Sequence, residues 1–374
     1  MNEELIRKVF PHTPTLQQME LFGLLHQFLI STDEDACFVL KGYAGTGKTT
    51  VLAALVKLLK NYDFQSFLMA PTGRAAKVMS SYSGRKALTI HKKIYRKKSA
   101  VTPDMNFSAS DNLHEDTLFI VDEASMISGE MRQEKNSGIL ENVTAMRNLI
   151  RQDEAEYPQV ITKGFKDIYR MTGEKLEEGL NYAYNKYGME NTLLICRSNK
   201  NANTYNQQVR ARILYREEEL TGGDFVMVVR NNYFWMKDQE GVSTDFIANG
   251  DIGQIKRVRN IREMYGFQFA DVQLEFTDYA DGLTLDCTVM LNTLYTETPS
   301  LSQADSQRFF EEVMKDYEHL GSRQKKMEEL KLNPYFNALQ IKFAYAVTCH
   351  KAQGGQWDAV FVDQGYLTDE MLNT

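Results

Sequence analysis

Two hydrophobic rhythms alternate along the first third of the chain. Residues 37–41 (CFVLK), 66–70 (SFLMA) and 117–121 (TLFIV) are short continuous apolar runs, the form strands take in a parallel sheet covered on both faces. Between the first two, after a glycine-rich break, Val51, Leu55, Leu58 and Leu59 recur at helical spacing within residues 50–60. Strand, loop, helix and strand in that order predict an α/β domain. From residue 136, Ile139, Val143, Met146 and Ile150 lie on one helical stripe, and a second helical stretch is predicted over 165–187. Residues 192–196 (TLLIC) predict a strand and 201–215 a polar helix, which repeats the alternation and predicts a second α/β domain. Between residues 224 and 291 the period falls to two, in DFVMVVR, DIGQIKRV, ADVQLEF and LTLDCTVML, so antiparallel strands and a small β-rich insertion are expected there. Residues 300–332 predict a pair of charged, solvated helices, in which Arg323, Lys325 and Lys326 read as a plain charged face, with phosphate contact as the alternative. Residues 340–348 and 358–363 predict strands that return the chain to the second α/β domain.

A length of 374 residues makes two or more domains the prior. A hydrophobic share of 43% beside 25% charged residues is that of an ordinary globular protein. No apolar run approaches the roughly 20 residues that cross a bilayer, and the mixed-charge start carries no apolar leader segment, so no membrane partner and a cytoplasmic location are expected. Cys37, Cys196, Cys287 and Cys349 are widely spaced, which argues against zinc ligation and a disulfide framework. A net charge of −7 argues weakly against a histone-like coating of nucleic acid, but a local basic groove on an acidic body remains open because binding responds to the local field.

Gly42, Tyr43, Ala44, Gly45, Thr46, Gly47, Lys48 and Thr49 fit G-x-x-x-x-G-K-[ST] at the predicted strand-to-helix junction. Such a loop wraps phosphates in backbone N–H groups, and the helix N-terminus adds partial positive charge. Gly42, Ala44, Gly45, Thr46, Gly47, Lys48, Thr49 and Thr50 are therefore the candidate nucleotide-binding residues, with Lys48 reaching the β and γ phosphates and Thr49 holding Mg²⁺. The run at 117–121 ends in Asp122 and Glu123. In a P-loop ATPase the first acid joins the Mg²⁺ shell and the second orients or deprotonates the attacking water. The two motifs together specify a nucleoside triphosphatase that uses Mg²⁺. Pro71, Thr72, Gly73 and Arg74 put a hydroxyl, backbone amides and a cation on the same sheet edge, while Lys92, Lys93, Arg96, Lys97 and Lys98 surround Tyr95. That composition suits phosphates and stacked bases.

In order and wording these motifs resemble the superfamily 1 helicases of the RecD and Dda type, which move 5′ to 3′ on single-stranded DNA, and the resemblance covers most of the chain. Thr15, Leu16, Gln17 and Gln18 are similar to that family's Q motif, which implies adenine recognition by Gln18 and ATP as the nucleotide; the same residues also read as a helix cap. Pro71 to Arg74 resemble motif Ia and Thr89, Ile90 and His91 the next DNA-contacting motif, with a structural histidine an equal reading of His91. Residues 191–210 resemble the strand and polar helix of the second motor domain, and residues 249–253 (NGDIG) the turn before its β insertion. Residues 346–354 (AVTCHKAQG) are similar to motif V, TxHKSQG, with Ala352 in place of the usual Ser. The resemblance implies that Thr348, His350 and Lys351 face DNA and that Gln353 and Gly354 approach the γ phosphate. Arg132, in residues 130–133 (EMRQ), resembles the motif IV arginine finger, and by itself reads equally as an exposed arginine.

Two departures stand out. Only six residues separate Ser125 from Arg132, where the family needs a helix, a further strand and a GDxxQLPPV motif, which implies removal of a segment near residues 128–130. Motif VI, with its second arginine finger, is also missing. The expectation is two RecA-like P-loop domains, residues 1–135 and residues 136–252 with 338–374. A β-rich, SH3-like insertion with charged helices occupies 253–337, and a wedge hairpin within 96–116 has Met105 or Phe107 at its tip. The expected protein is a monomeric, DNA-stimulated ATPase and helicase acting on single-stranded DNA and its junctions with duplex. Three alternatives stay open: a translocase without unwinding, an ATP- and DNA-binding clamp without turnover, and a small-molecule kinase. The kinase leaves Pro71 to Arg74 and residues 348–354 unexplained.

Overall fold

Short apolar runs alternating with amphipathic stretches produce a parallel sheet in each half of the chain. The computed structural model of the protein describes residues 6, 8–10, 13–31, 36–40, 47–59, 65–70, 73–90, 93, 95–97, 107–109, 117–122, 137–152, 159–237, 246–276, 283–353, 355 and 357–365. They fall in two units, Met1–Gly129 with Asn231–Asn249, and Glu130–Arg230 with Gly250–Thr374.

The elements of the first unit are α1 (Leu16–Leu29), α2 (Lys48–Leu58), β1 (Gln65–Ala70), α3 (Gly73–Ser83), β2 (Ala87–Thr89), β3 (Tyr95–Lys97), β4 (Phe107–Ala109) and β5 (Thr117–Val121). Parallel strands β2, β1 and β5 form one sheet in that order. Leu68, Ala70 and Ile120 share a buried core with Phe22 and Leu25 of α1 and Val51 and Leu55 of α2. The alternate positions give the other face, where Phe67 stacks on Phe119 at 6.0 Å and Lys93 Nζ stands 3.3 Å from the Phe67 ring centre. Strands β3 and β4 pair antiparallel, so the candidate wedge region contains a hairpin; Phe107 stands in its ladder opposite Lys97, and Met105 lies outside the described residues. Residues 231–249 belong to this unit: Tyr233 stacks on buried Phe246 at 5.3 Å, and Lys77 of α3 lies over that ring.

The strand expected at 37–41 is corrected over its described residues, 37–40. Residues 36–40 make no ladder with the sheet, and Phe38 packs on Phe28 of α1 at 5.5 Å instead. A five-residue apolar run is as well satisfied by a helix face as by a strand neighbour.

The second unit begins with α4 (Gly138–Gln152). Helix α5 (Leu176–Tyr187) follows a single tight turn at Gly173–Lys175, so the predicted helical stretch is helical only in its second half. Its first half serves α4. Phe165 and Ile168 press on Gly138 so closely that an added Cβ would lie 2.5 Å from Ile168 Cγ2, and Asp167 caps the helix. Tertiary packing thus overrides the local period.

Next come β6 (Thr192–Cys196) and α6 (Asn199–Gln208), which runs into a π-helical turn at Val209–Ile213. Strands β7 (Phe225–Val228), β8 (Ile252–Met264), β9 (Phe267–Phe276) and β10 (Leu283–Met290) are then followed by α7 (Gln303–Lys315) and α8 (Arg323–Leu332). Last are β11 (Leu339–Phe343), β12 (Ala346–Thr348), the short α9 (Cys349–Ala352) and β13 (Ala359–Val362). Strands β10, β11, β7, β8 and β9 close into a barrel, confirming the β-rich insertion. Phe269, Leu274, Phe276, Val289, Ile341 and Phe343 are among its buried side chains, and α7 adds Phe309, whose ring lies 5.1 Å from that of Phe267.

The predicted strand at 340–348 is two strands. Residues 339–343 close the barrel, and after Ala344 and Tyr345 the chain enters the parallel sheet β12-β6-β13. The buried Asn206 amide bridges this break: its Nδ2 donates to the carbonyls of Phe343 (3.0 Å) and Ala346 (2.9 Å), and its Oδ1 accepts from Ala346 N (2.8 Å).

Candidate nucleotide and nucleic-acid site

In the first unit every described motif follows the C-terminal end of a parallel strand or opens a helix. Gly47 caps α2 at φ +82°, a left-handed conformation that glycine adopts without the Cβ penalty. Lys48 is half-buried and Thr49 exposed in the first turn, which puts an ammonium and a hydroxyl beside the helix N-terminus. Asp122 follows β5, its N–H donating to Met69 O at 3.0 Å. Gly73 and Arg74 open α3 immediately after β1, and β2 leads toward His91. Because these strands are parallel, the start of α3 after β1 and Asp122 after β5 share one sheet edge, the usual ligand edge of α/β proteins, and Thr49 and Thr50 of α2 line a cavity together with Tyr82 of α3.

Gln18 carries both readings given to it. Thr15 N–H donates to Gln18 Oε1 (2.9 Å) and Gln18 N–H to Thr15 Oγ1 (3.2 Å), a capping box at the start of α1. Its Nε2 meanwhile stands 2.8 Å from where a Cβ would sit on Gly47, so the cap also brings the glutamine to the last glycine of the phosphate loop. Gly42, Ala44, Gly45, Thr46, Pro71, Thr72, His91, Glu123 and Arg132 lie outside the described residues.

Mg²⁺ takes hard oxygen donors and is usually held by one or two carboxylates with substrate phosphates. The Thr49 hydroxyl and the Asp122 carboxylate are donors of that kind, and among the described residues no cluster of three or more His, Cys, Asp or Glu offers an all-protein metal cage. Tyr82 adds a contact that no sequence signal marked: its hydroxyl donates to Asp122 Oδ2.

In the second unit Thr348 precedes α9, His350 is exposed, and Lys351 and Gln353 are half-buried. Gly354 lies outside the described residues. Thr348 stands opposite Cys196 in the parallel register, so α9 and the start of α6, capped by Ser198 Oγ, rise from one edge of this sheet. Burial pushes the Cys196 thiol up to about 12, with Asp363 adding to the shift, so it behaves as a core group. Near the start of β12, Asp224 receives Arg210 through two N–H groups at 3.1 Å, Arg216 at 2.6 Å and the Tyr345 hydroxyl at 2.8 Å. Burial alone would raise this carboxyl, but the Thr221 N–H, the Arg210 guanidinium and Tyr345 outweigh it and hold Asp224 below the ordinary carboxylate value.

Residues 27–147 match the family model of an AAA domain, and residues 343–374 match that of a UvrD-like helicase C-terminal domain. An AAA domain and a UvrD-like helicase C-terminal domain, in that order, are in keeping with the resemblance to superfamily 1 helicases. The first match covers the P-loop and the acidic pair, and the second covers Thr348, His350 and Lys351. Among solved structures, the chain is similar to one from a study of DNA unwinding at forked double-stranded DNA by two coordinating Pif1 helicases, at 15% identity over 97% of this chain and 89% of that one, with a TM-score of 0.42. It is also similar to the Pif1 helicase from Candida albicans (11% identity, 97% and 91%, TM-score 0.40) and to Pif1 from Bacteroides sp. in complex with ADP-AlF4 (15%, 96% and 88%, 0.31). No helix among the described residues is long and apolar enough to cross a membrane.

Proposed function

We propose that the protein is an ATP-dependent DNA helicase that moves 5′ to 3′ along single-stranded DNA and couples ATP hydrolysis to strand separation. The observation that carries this reading is the placement of motif residues at the C-terminal edge of a parallel sheet, Asp122 in one unit and Thr348 to Lys351 in the other, with Gly47 to Thr49 opening a helix that lines a cavity with Tyr82, the partner of Asp122. In this reading Gly42 and Ala44 to Thr50 hold the nucleotide, Gln18 reads its base, and Glu123 activates water. Arg132, with Gln353 and Gly354, meets the γ phosphate. Thr49 and Asp122 would hold Mg²⁺, which supplies charge for phosphoryl transfer. Pro71, Thr72, Gly73, Arg74, His91, Thr348, His350 and Lys351 grip the strand, and the β3–β4 hairpin is the wedge. Single-stranded DNA and its junctions with duplex are the partners, and the protein works as a monomer.

Unwinding of partial duplexes that carry either a 5′ or a 3′ single-stranded tail tests this reading. Unwinding of the 5′-tailed substrate alone is expected. Unwinding of the 3′-tailed substrate would overturn the polarity, and ATP turnover on DNA with neither duplex opened would leave a translocase.

A further inference from the structure

Where the second unit buries an arginine it supplies a carboxylate: Arg210, 3% exposed, binds Asp224. Lys342 departs from this. It lies in β11 at 6% exposure, and its Nζ donates to the carbonyl of Thr296 and, at 3.3 Å, to the Thr296 hydroxyl. That carbonyl already accepts from Asn203 Nδ2 at 2.7 Å. Among the described residues no Asp or Glu forms an ion pair with Lys342, and Glu297, next to Thr296, lies against Lys200 at 3.8 Å. Burial, helped by the positive charge of Lys351, brings the Lys342 ammonium down to about 8, and burial lowers Lys351 as well. A buried cation beside a second cation is stabilised by an anion arriving from outside.

We propose that Lys342 is a phosphate-binding residue that acts with Lys351 on one backbone phosphodiester of a single strand. The flexible four-carbon stem lets Nζ turn from Thr296 to the phosphate, and Asn203 keeps that carbonyl satisfied. The proposal rests on reading Thr348 to Lys351 as nucleic-acid contacts.

Binding of fluorescein-labelled oligo-dT to the full chain, followed by anisotropy across a salt series without nucleotide, tests it with Lys342→Met and Lys351→Ala. For Lys342→Met we expect about tenfold weaker binding and a log–log salt slope shallower by about 0.7, the value of one phosphate contact on a single strand. Its melting temperature should equal or exceed that of the parent chain, because an apolar side chain of similar length replaces a buried charge. A lower melting temperature with unchanged affinity and slope would mean that Lys342 is only structural, and the proposal would fail. If Lys351→Ala weakens binding while Lys342→Met does not, the proposal fails and the wider nucleic-acid reading stands. If the parent chain does not bind oligo-dT, both fail.

Discussion

Gly47 sits where the phosphate loop becomes a helix, and its backbone demands glycine there. Its φ of +82° is unfavourable for any residue with a Cβ, and such an atom would lie 2.8 Å from Gln18 Nε2, which would have to turn away. Gly47→Ala should therefore cost about 1–2 kcal/mol and weaken ATP-analogue binding, as read by a thermal melt and a fluorescent-nucleotide titration. Asp224 offers a test with a pH sign. Its folded pKa is depressed, so its stabilisation is present above the unfolded carboxyl value and is lost as pH falls through the lower folded value. Asp224→Ala should cost about 3–5 kcal/mol in urea melts at pH 7, because two arginines lose their shared carboxylate, and the deficit should shrink below about pH 4. Equal deficits at pH 7 and pH 3 would contradict this assignment. Lys48 and Asp122 were legible in the sequence because their chemistry needs a fixed local spacing. Asp224 and Tyr82 were not, since their partners lie far away in sequence: Tyr345 for the one, Asp122 for the other.

At the scale of elements, the apolar runs at 66–70, 117–121 and 192–196 all became strands, and the drop to a period of two marked the barrel. The misreadings share a cause. Residues 36–40, 165–172 and 340–348 each have a partner chosen by tertiary packing: Phe28, the start of α4, and a barrel that takes one half of a strand while the sheet takes the other. Asn206 makes that last split possible, because the backbone groups of Phe343 and Ala346 have no ladder partner where the chain changes sheet. Asn206→Leu should cost about 3 kcal/mol and speed hydrogen exchange across residues 343–348; unchanged exchange there would refute the bridging role. Asp167 caps α4 from a distance, taking Gly138 N–H at 2.8 Å and the Ser137 hydroxyl at 2.7 Å, and these bonds hold its carboxyl below the ordinary value. Asp167→Ala should lower stability by about 1 kcal/mol, with the loss localised by hydrogen exchange to the first turn of α4.

For the whole molecule, the central claim is that ATP turnover is driven by single-stranded DNA. Two sheets carry motif residues at their C-terminal edges, the family matches fall on both, and the motif V-like segment leaves β12 with Thr348, His350 and Lys351 in sequence. Residues 126–131 leave no room for the GDxxQLPPV motif between the acidic pair and Arg132, so a protein that binds ATP and DNA without hydrolysis is the reading that competes with a motor. Steady-state ATP hydrolysis at low salt, with and without oligo-dT, beside Lys48→Ala and Glu123→Gln, separates the two most directly. A motor predicts strong stimulation by oligo-dT that both substitutions abolish. Binding of ATP and DNA without turnover, or turnover indifferent to oligo-dT, would contradict it.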